Sequence, residues 1–187
     1  KQLPTEHVKR VLDSAAEQGF KAVSFTGGEP MMDLETLFEL IAHARSAGFE
    51  YIRTGTNGFL FRGSEKVGFE SRMARLADDI MESGLRNLWI SIDSANPNMH
   101  EKMRGLKGVI RGIEKALPIF HSRGFFPSAN VGINRNIAGG GTWPVLDRHL
   151  EDDEVERKIF ERHMANGFSA FFSKVRDMGF TMANLCY

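Results

Sequence analysis

One pattern recurs five times in this chain. An amphipathic helical stretch is closed by a glycine, an apolar residue follows, and a short apolar run comes next. The helical faces are Val8, Val11, Leu12, Ala15; Leu34, Leu37, Phe38, Ile41, Ala44; Met73, Leu76, Ala77, Ile80; Val109, Ile113, Ala116, Phe120; and Phe160, Met164, Phe168, Phe171, Phe172, Val175. Each follows the three-and-four spacing of one buried face. The glycine pairs are Gly19-Phe20, Gly48-Phe49, Gly84-Leu85, Gly124-Phe125 and Gly179-Phe180, and glycine just past a helix is the left-handed stop signal. The runs that follow are Ala22–Thr26, Tyr51–Thr56, Leu88–Asp93, Ser128–Ile133 and Thr181–Cys186. Helix and strand in strict alternation predict an α/β fold with a parallel sheet covered by helices. Periodicity alone leaves an open doubly wound sheet and a barrel both open. Thr5 and Asp33 are expected N-caps, and Pro118 is expected to kink or end its helix.

In either architecture functional residues belong at the carboxyl ends of the strands. That rule collects Thr26–Pro30, Thr56-Asn57-Gly58, Ser91 with Asp93, and Asn130 with Asn134 on one rim. The turn Gly27-Gly28-Glu29-Pro30 stands out. Its glycines let a ligand approach the backbone, Glu29 offers an acceptor to a cationic group, and Pro30 stiffens the turn.

The totals exclude several classes. Lys plus Arg equals Asp plus Glu at 24 each, so no net charge favours nucleic acid or an acidic membrane surface. No apolar run approaches a bilayer span. A single cysteine, Cys186, rules out an internal disulfide framework and suits a reducing, cytoplasmic setting. The chain starts at Lys1 and stops within a strand-like run, and its first helix has no strand before it; a piece of a longer protein, truncated at both ends, is the expectation.

The ordered set Phe25-Thr26-Gly27-Gly28-Glu29-Pro30, Arg53-Thr54-Gly55-Thr56-Asn57-Gly58, Trp89-Ile90-Ser91-Ile92-Asp93-Ser94 and His100-Glu101-Lys102-Met103-Arg104-Gly105 resembles the radical S-adenosylmethionine (SAM) enzymes. The resemblance implies a partial (β/α)6 TIM-like barrel over residues 1–187, with parallel strands and the first strand missing. Residues 137–158 would be a loop or helical insertion. It implies that Gly27, Gly28 and Glu29 hold the methionine ammonium, with Thr26 and Pro30 beside them among the cofactor-binding residues. Ser91, and less directly Asp93, would meet the ribose or carboxylate. Thr56 and Asn57 would line the floor, and Asn130 the next strand exit. Arg104, placed in a loop, would pair with a carboxylate.

The same resemblance implies a [4Fe–4S] cluster whose cysteine ligands lie outside this chain, because the C-x3-C-x2-C loop of the family is absent and thiolates are the expected ligands. A degenerate relative without a cluster is the other explanation. In the family a reduced cluster cleaves SAM to a 5′-deoxyadenosyl radical that abstracts hydrogen from a substrate, with electrons from an external donor such as a flavodoxin or ferredoxin. The chain would orient these partners and, by itself, be inactive. The alternative is a non-catalytic barrel that binds a small molecule or a partner; a phosphate-binding lyase or isomerase ranks last, for want of a lysine or carboxylate pair on the rim.

Other features favour plain readings. The six histidines form no zinc-type pair. Glu151-Asp152-Asp153-Glu154 suits a solvated helix start. Gly139-Gly140-Gly141 suits a loop in preference to a phosphate turn. The last helix's phenylalanines suit core packing. Phe59, Phe61 and Phe69 suit loop packing or a substrate-side wall, not nucleic acid.

Overall fold

A computed structural model describes residues 3–134, 136–139 and 153–186. The elements are α1 (Thr5–Glu17), β1 (Ala22–Phe25), α2 (Leu34–Ser46), β2 (Tyr51–Thr56), α3 (Phe69–Ser83), β3 (Asn87–Ser91), α4 (Pro97–Arg104), α5 (Val109–His121), β4 (Ser128–Gly132), α6 (Asp153–Met178) and β5 (Ala183–Cys186), with short 3-10 turns at Pro30–Met32 and Phe59–Phe61.

The strands form one sheet in the order β1-β2-β3-β4-β5, every pair parallel. This order decides between the two architectures that periodicity left open. A doubly wound sheet reverses direction at a switch point, which sends helices to both faces. Here the order never reverses, so crossovers of one hand put every helix on the same side. The helices also pack in chain sequence, α1 on α2, α2 on α3, α3 on α5 and α5 on α6. The winding is that of a (β/α) barrel, represented by five strands.

The core lies between helices and sheet. Ile52, Leu88, Ile90, Ile92, Ala129 and Val131 point from the strands into a layer with Ile41, Ala44, Met73, Ala77, Ile80, Ile113 and Phe120, all essentially without solvent contact. Phe61 and Phe69 belong to this core and Phe59 packs against it, which selects loop packing for those aromatics. The rings of Phe61 and Phe125 meet Phe120 edge-on, at 6.0 and 6.3 Å between centroids.

All five stop glycines adopt positive φ, from 79° to 105°. At four of them the amide of the residue after the glycine reaches back five positions, as in Phe49 N–H to Ala44 O (3.0 Å) and Phe125 N–H to Phe120 O (3.1 Å), the Schellman arrangement. The apolar residue after the glycine is then folded against the helix it follows. Phe49, Leu85, Phe125 and Phe180 are buried, whereas Phe20 stays exposed.

Several local expectations need correction. Asp33 caps α2 through Oδ1, which accepts from Thr36 N–H at 3.1 Å, but α1 is preceded by Pro4 and Thr5 is already helical, so Thr5 caps nothing. Pro118 does not end α5, which runs on to His121; three residues from the end, the ring disturbs little that follows. Val11, Phe160 and Phe172 are exposed, so their helices bury narrower faces than the spacing suggests. Arg104 is the last residue of helix α4, not a loop residue. Most of the expected insertion at 137–158, with Gly140, Gly141, Glu151 and Asp152, lies outside the described residues; α6 begins within that range. No described helix is long and apolar enough to cross a membrane.

Candidate functional site at the strand exits

The turn after β1 is open to ligands at its glycines. Gly27 and Gly28 have φ of 95° and 57°, and nothing lies within 4 Å of a Cβ placed on either. Both sit in the left-handed region that side chains disfavour, and both are solvent-exposed with Thr26.

Glu29 points its carboxylate across to the next strand exit. Oε1 accepts from Met31 N–H at 3.3 Å and Oε2 from Asn57 N–H at 2.6 Å. The carboxylate is therefore held on the β1–β2 side of the rim, with lone pairs left for a cation. The β2 exit is itself rigid. Thr56 Oγ1 accepts from Gly58 N–H at 3.1 Å and Asn57 Oδ1 from Phe59 N–H at 2.9 Å, an Asx turn that uses up the Asn57 side-chain oxygen. Thr54 Oγ1 donates to Phe25 O at 2.9 Å and locks the ends of β1 and β2 together.

Beyond β3 the structure pairs two residues that sequence reasoning kept apart. Arg104 grips Asp93 with both arms of its fork, Nε to Oδ2 and Nη2 to Oδ1, the latter at 2.7 Å. Asp93 is 7% exposed. Its hydrogen bond holds the Arg104 charge firmly, raising that group's affinity for its proton, and the Glu29 charge adds to the effect across the rim. Arg104 thus spends its planar recognition on Asp93.

The backbone around Asp93 is equally fixed. Its N–H donates to His100 Nδ1 at 3.1 Å, and Asn134 Nδ2 donates to its carbonyl at 2.9 Å and to Gly132 O at 2.8 Å. Ser94 Oγ reaches Asn136 O at 2.6 Å, and Ala95 N–H reaches Ile137 O at 2.8 Å. The exits of β3 and β4 are therefore one clamped unit. Ser91 and Asn130 are lateral partners there. The Ser91 hydroxyl makes no hydrogen bond among the described residues, while Asn130 Nδ2 lies 3.5 Å from Cys186 Sγ.

Helix α4 and the contact of His100 with Asp93 escaped the sequence reading, although His100 stood in the quoted motif. The available signal was Asn96-Pro97. Asn96 Oδ1 accepts from Asn98 N–H (2.9 Å) and Met99 N–H (3.3 Å), and Pro97 opens the helix. Helix α4 then delivers His100 and Arg104, four residues apart, to Asp93.

His100 is fully buried, and its Nε2 has no hydrogen-bond partner among the described residues. Burial pushes its pKa below the ordinary 6.5; Arg104 lowers it further, while Asp93 and Glu101 oppose the shift. Burial also lowers His121. A histidine depressed in the folded state contributes stability that is fully present above pH ~6.5 and is lost as pH falls toward the folded value, because the unfolded chain then binds more protons. Urea unfolding between pH 7.5 and 5.5 should show this decline, and His100→Gln should flatten it, leaving the contribution of His121. An unchanged slope in His100→Gln would remove His100 as the source.

The chain matches the model of the Radical SAM superfamily over residues 1–143. It belongs to that superfamily, whose members use SAM and a [4Fe–4S] cluster. It is 25% identical over 185 residues to a GTP 3′,8-cyclase of Vibrio parahaemolyticus, covering 97% of this chain and 51% of that protein. It is 33% identical over 117 residues to an AdoMet-dependent heme synthase of Oleidesulfovibrio alaskensis, covering 60% and 27%. The crystal structure of a xylose isomerase-like TIM barrel protein from Mycobacterium smegmatis in complex with magnesium aligns with a TM-score of 0.45 at 11% identity, over 98% of this chain and 56% of that one. The chain thus spans about half of the cyclase, or less of the synthase.

The two cofactors fit the described residues differently. Two glycines with open space where side chains would stand, beside a fixed carboxylate, fit the amino-acid end of SAM. The cluster does not fit. The sequence has one cysteine, and the described residues hold no group of three His, Cys, Asp or Glu that could bind a metal ion. A three-thiolate set cannot be drawn from these 187 residues.

Proposed function

We propose that this chain is the SAM-binding part of a radical SAM enzyme. The observation that carries it is the Glu29 carboxylate, fixed by the Asn57 and Met31 amides beside the open glycines 27 and 28. In this reading the methionine ammonium lies against Glu29 and the carbonyls of the Thr26–Pro30 turn, where a cation gains charge-assisted hydrogen bonds. Thr56 and Asn57 shape the floor, since their side chains are already committed to the turn. Ser91 has the available hydroxyl for the ribose or carboxylate, and Asn130 lines the rim beside it. Asp93 and Arg104 act through each other, holding the β3 exit in place; contact of Arg104 with the SAM carboxylate is not required.

With a cluster held by groups outside these residues, SAM would supply the hydrogen-abstracting chemistry. The chain's own part is to hold, orient and shield. The thiolates that bind the cluster, and the electron donor of the flavodoxin or ferredoxin kind, come from outside these 187 residues. A barrel that binds a small molecule without a cluster is the second reading, kept by the single cysteine.

The test is calorimetry with SAM on the full-length protein. Glu29→Gln should weaken binding about 10- to 100-fold, the equivalent of one charged hydrogen bond of roughly 1.5–3 kcal/mol, with little change in urea midpoint. Equal affinity in wild type and Glu29→Gln would sink this placement of the ammonium. Wild-type binding in a full-length protein whose gene encodes no cysteine triplet would favour the second reading.

A further inference from the structure

The strand face turned away from the helices has a chemistry that the rim does not use. Lateral register puts Ser24, Arg53 and Asn87 in one row, Gly55, Trp89 and Ser128 in the next, and Ser91, Asn130 and Asn184 in a third. Side chains at partnered positions of parallel strands share a face, and alternate residues take the other. The other face is the apolar one. Val23 and Phe25 pack against the core, and Ile52, Leu88, Ile90 and Ala129 are within it. Parallel sheets are ordinarily apolar on both faces, so a polar face calls for an explanation.

Part of it is self-satisfied. Asn87 Nδ2 donates to Ser128 Oγ at 2.7 Å, and Ser128 Oγ donates to Asn87 Oδ1 at 3.0 Å. Arg53 is different. Its guanidinium carbon lies 4.1 Å from the centroid of the Trp89 ring. It has no ion pair and no hydrogen bond among the described residues. Trp89 runs along the bare Gly55, where an added Cβ would stand 3.8 Å from its Cε3. Beside Arg53, in lateral register, the Ser24 hydroxyl is buried without a hydrogen-bond partner among the described residues.

The cation–π contact holds the guanidinium over the ring, and no hydrogen bond or ion pair among the described residues occupies its N–H donors, which suit a bidentate oxyanion. A buried hydroxyl without a partner is costly unless a ligand or water completes it. Arg53 lies three residues before Thr56, about 10 Å along the strand from the rim, so its group is separate from the residues assigned to SAM.

We infer that Arg53, laid on Trp89 with the Ser24 hydroxyl beside it, is an oxyanion subsite that seats the carboxylate or phosphate end of the substrate inside the sheet. This rests on the proposed SAM site at the rim, because that site makes the polar face the substrate's side. It narrows the substrate to a molecule with an anionic end.

The test uses full-length protein labelled with 5-fluorotryptophan. The resonance missing from Trp89→Phe belongs to Trp89, and it is followed during titration with pyrophosphate, with glutarate, and with sodium chloride at matched ionic strength. A saturable shift with pyrophosphate alone identifies a phosphate end, with glutarate alone a carboxylate end, and with both an undiscriminating oxyanion site. Arg53→Gln should raise the apparent Kd at least tenfold, and Arg53→Lys should do so less, since a point charge keeps attraction and loses the fork. No saturable shift, a shift that chloride reproduces, or an unchanged Kd in Arg53→Gln overturns the inference. If Arg53→Gln does not fold, Arg53→Lys decides alone. SAM calorimetry on the same samples separates the two readings. Intact SAM binding with no anion response defeats the subsite only, whereas an anion response without SAM binding defeats the rim reading and, with it, the assignment of this oxyanion site to the substrate.

Discussion

Gly112→Ala should destabilise the protein by about 3 kcal/mol or more, the upper range for forcing atoms into a packed core. Gly112 lies in helix α5, and a Cβ there would overlap Phe61 O and stand 2.7 Å from Phe61 C and 3.2 Å from Phe61 Cβ. Two of these three are backbone atoms, so no rotamer change relieves the contact. Either α5 retreats from the sheet or the Phe59–Phe61 turn moves, and Phe61 is 1% exposed with its ring against Phe120. The sign makes the test sharp. Helix propensity alone would favour alanine over glycine by roughly 1 kcal/mol, so a loss of stability reports the close approach and not the helix. Gly132→Ala is the control. Gly132 has no positive φ and nothing within 4 Å of a Cβ, and its effect should stay within about 0.5 kcal/mol. Urea unfolding of the three proteins checks both. Equal stability of Gly112→Ala and wild type would refute the contact between α5 and the turn that carries the β2 exit.

That contact shows what the sequence could and could not reveal. The five glycine stops were legible because left-handed φ is a local demand that few residues meet, and the strands were legible because each begins just after a stop. The rim was legible because strand direction follows from helix–strand alternation. Gly112 was invisible as a constraint, since its reason lies some fifty residues away at Phe61. The pairing of Asp93 with Arg104 was invisible while helix α4 went unseen. A polar stretch without a wide apolar face gives little periodicity, and its only signal was the Asn96-Pro97 start. The polar face of Ser24, Arg53 and Trp89 needed the register, because alternation within one strand says which residues share a side and not which side meets the helices. The choice between a barrel and a doubly wound sheet needed the strand order for the same reason.

Arg104→Ala should cost more than Asp93→Ala, although both break one ion pair. The two partners are unequally buried. The Asp93 side chain is 10% exposed and that of Arg104 32%. Removing Arg104 strands a carboxylate that has almost no access to water, a loss of about 3 kcal/mol by the usual cost of an uncompensated buried charge. Removing Asp93 leaves a guanidinium that is a third exposed, able to rehydrate and still attracted by Glu29, so about 2 kcal/mol is expected after that discount. Lys cannot restore Arg104, because its ammonium meets one carboxylate oxygen where the fork meets both. The double variant should lose less than the sum of the singles by about 1–2 kcal/mol, since the second removal leaves no stranded charge. Simple additivity in that cycle would mean that the pair is not formed in solution, and a larger loss in Asp93→Ala would reverse the burial argument. The outcome also bears on the site. Asp93 lies two residues beyond Ser91 in a loop clamped by His100 and Asn134, so a stranded charge at that point shifts the β3 exit. SAM affinity of the full-length Arg104→Ala protein should then fall several-fold with Glu29 untouched, the behaviour of a positioning residue; Arg104→Gln, which keeps one donor for Asp93, should recover part of that affinity.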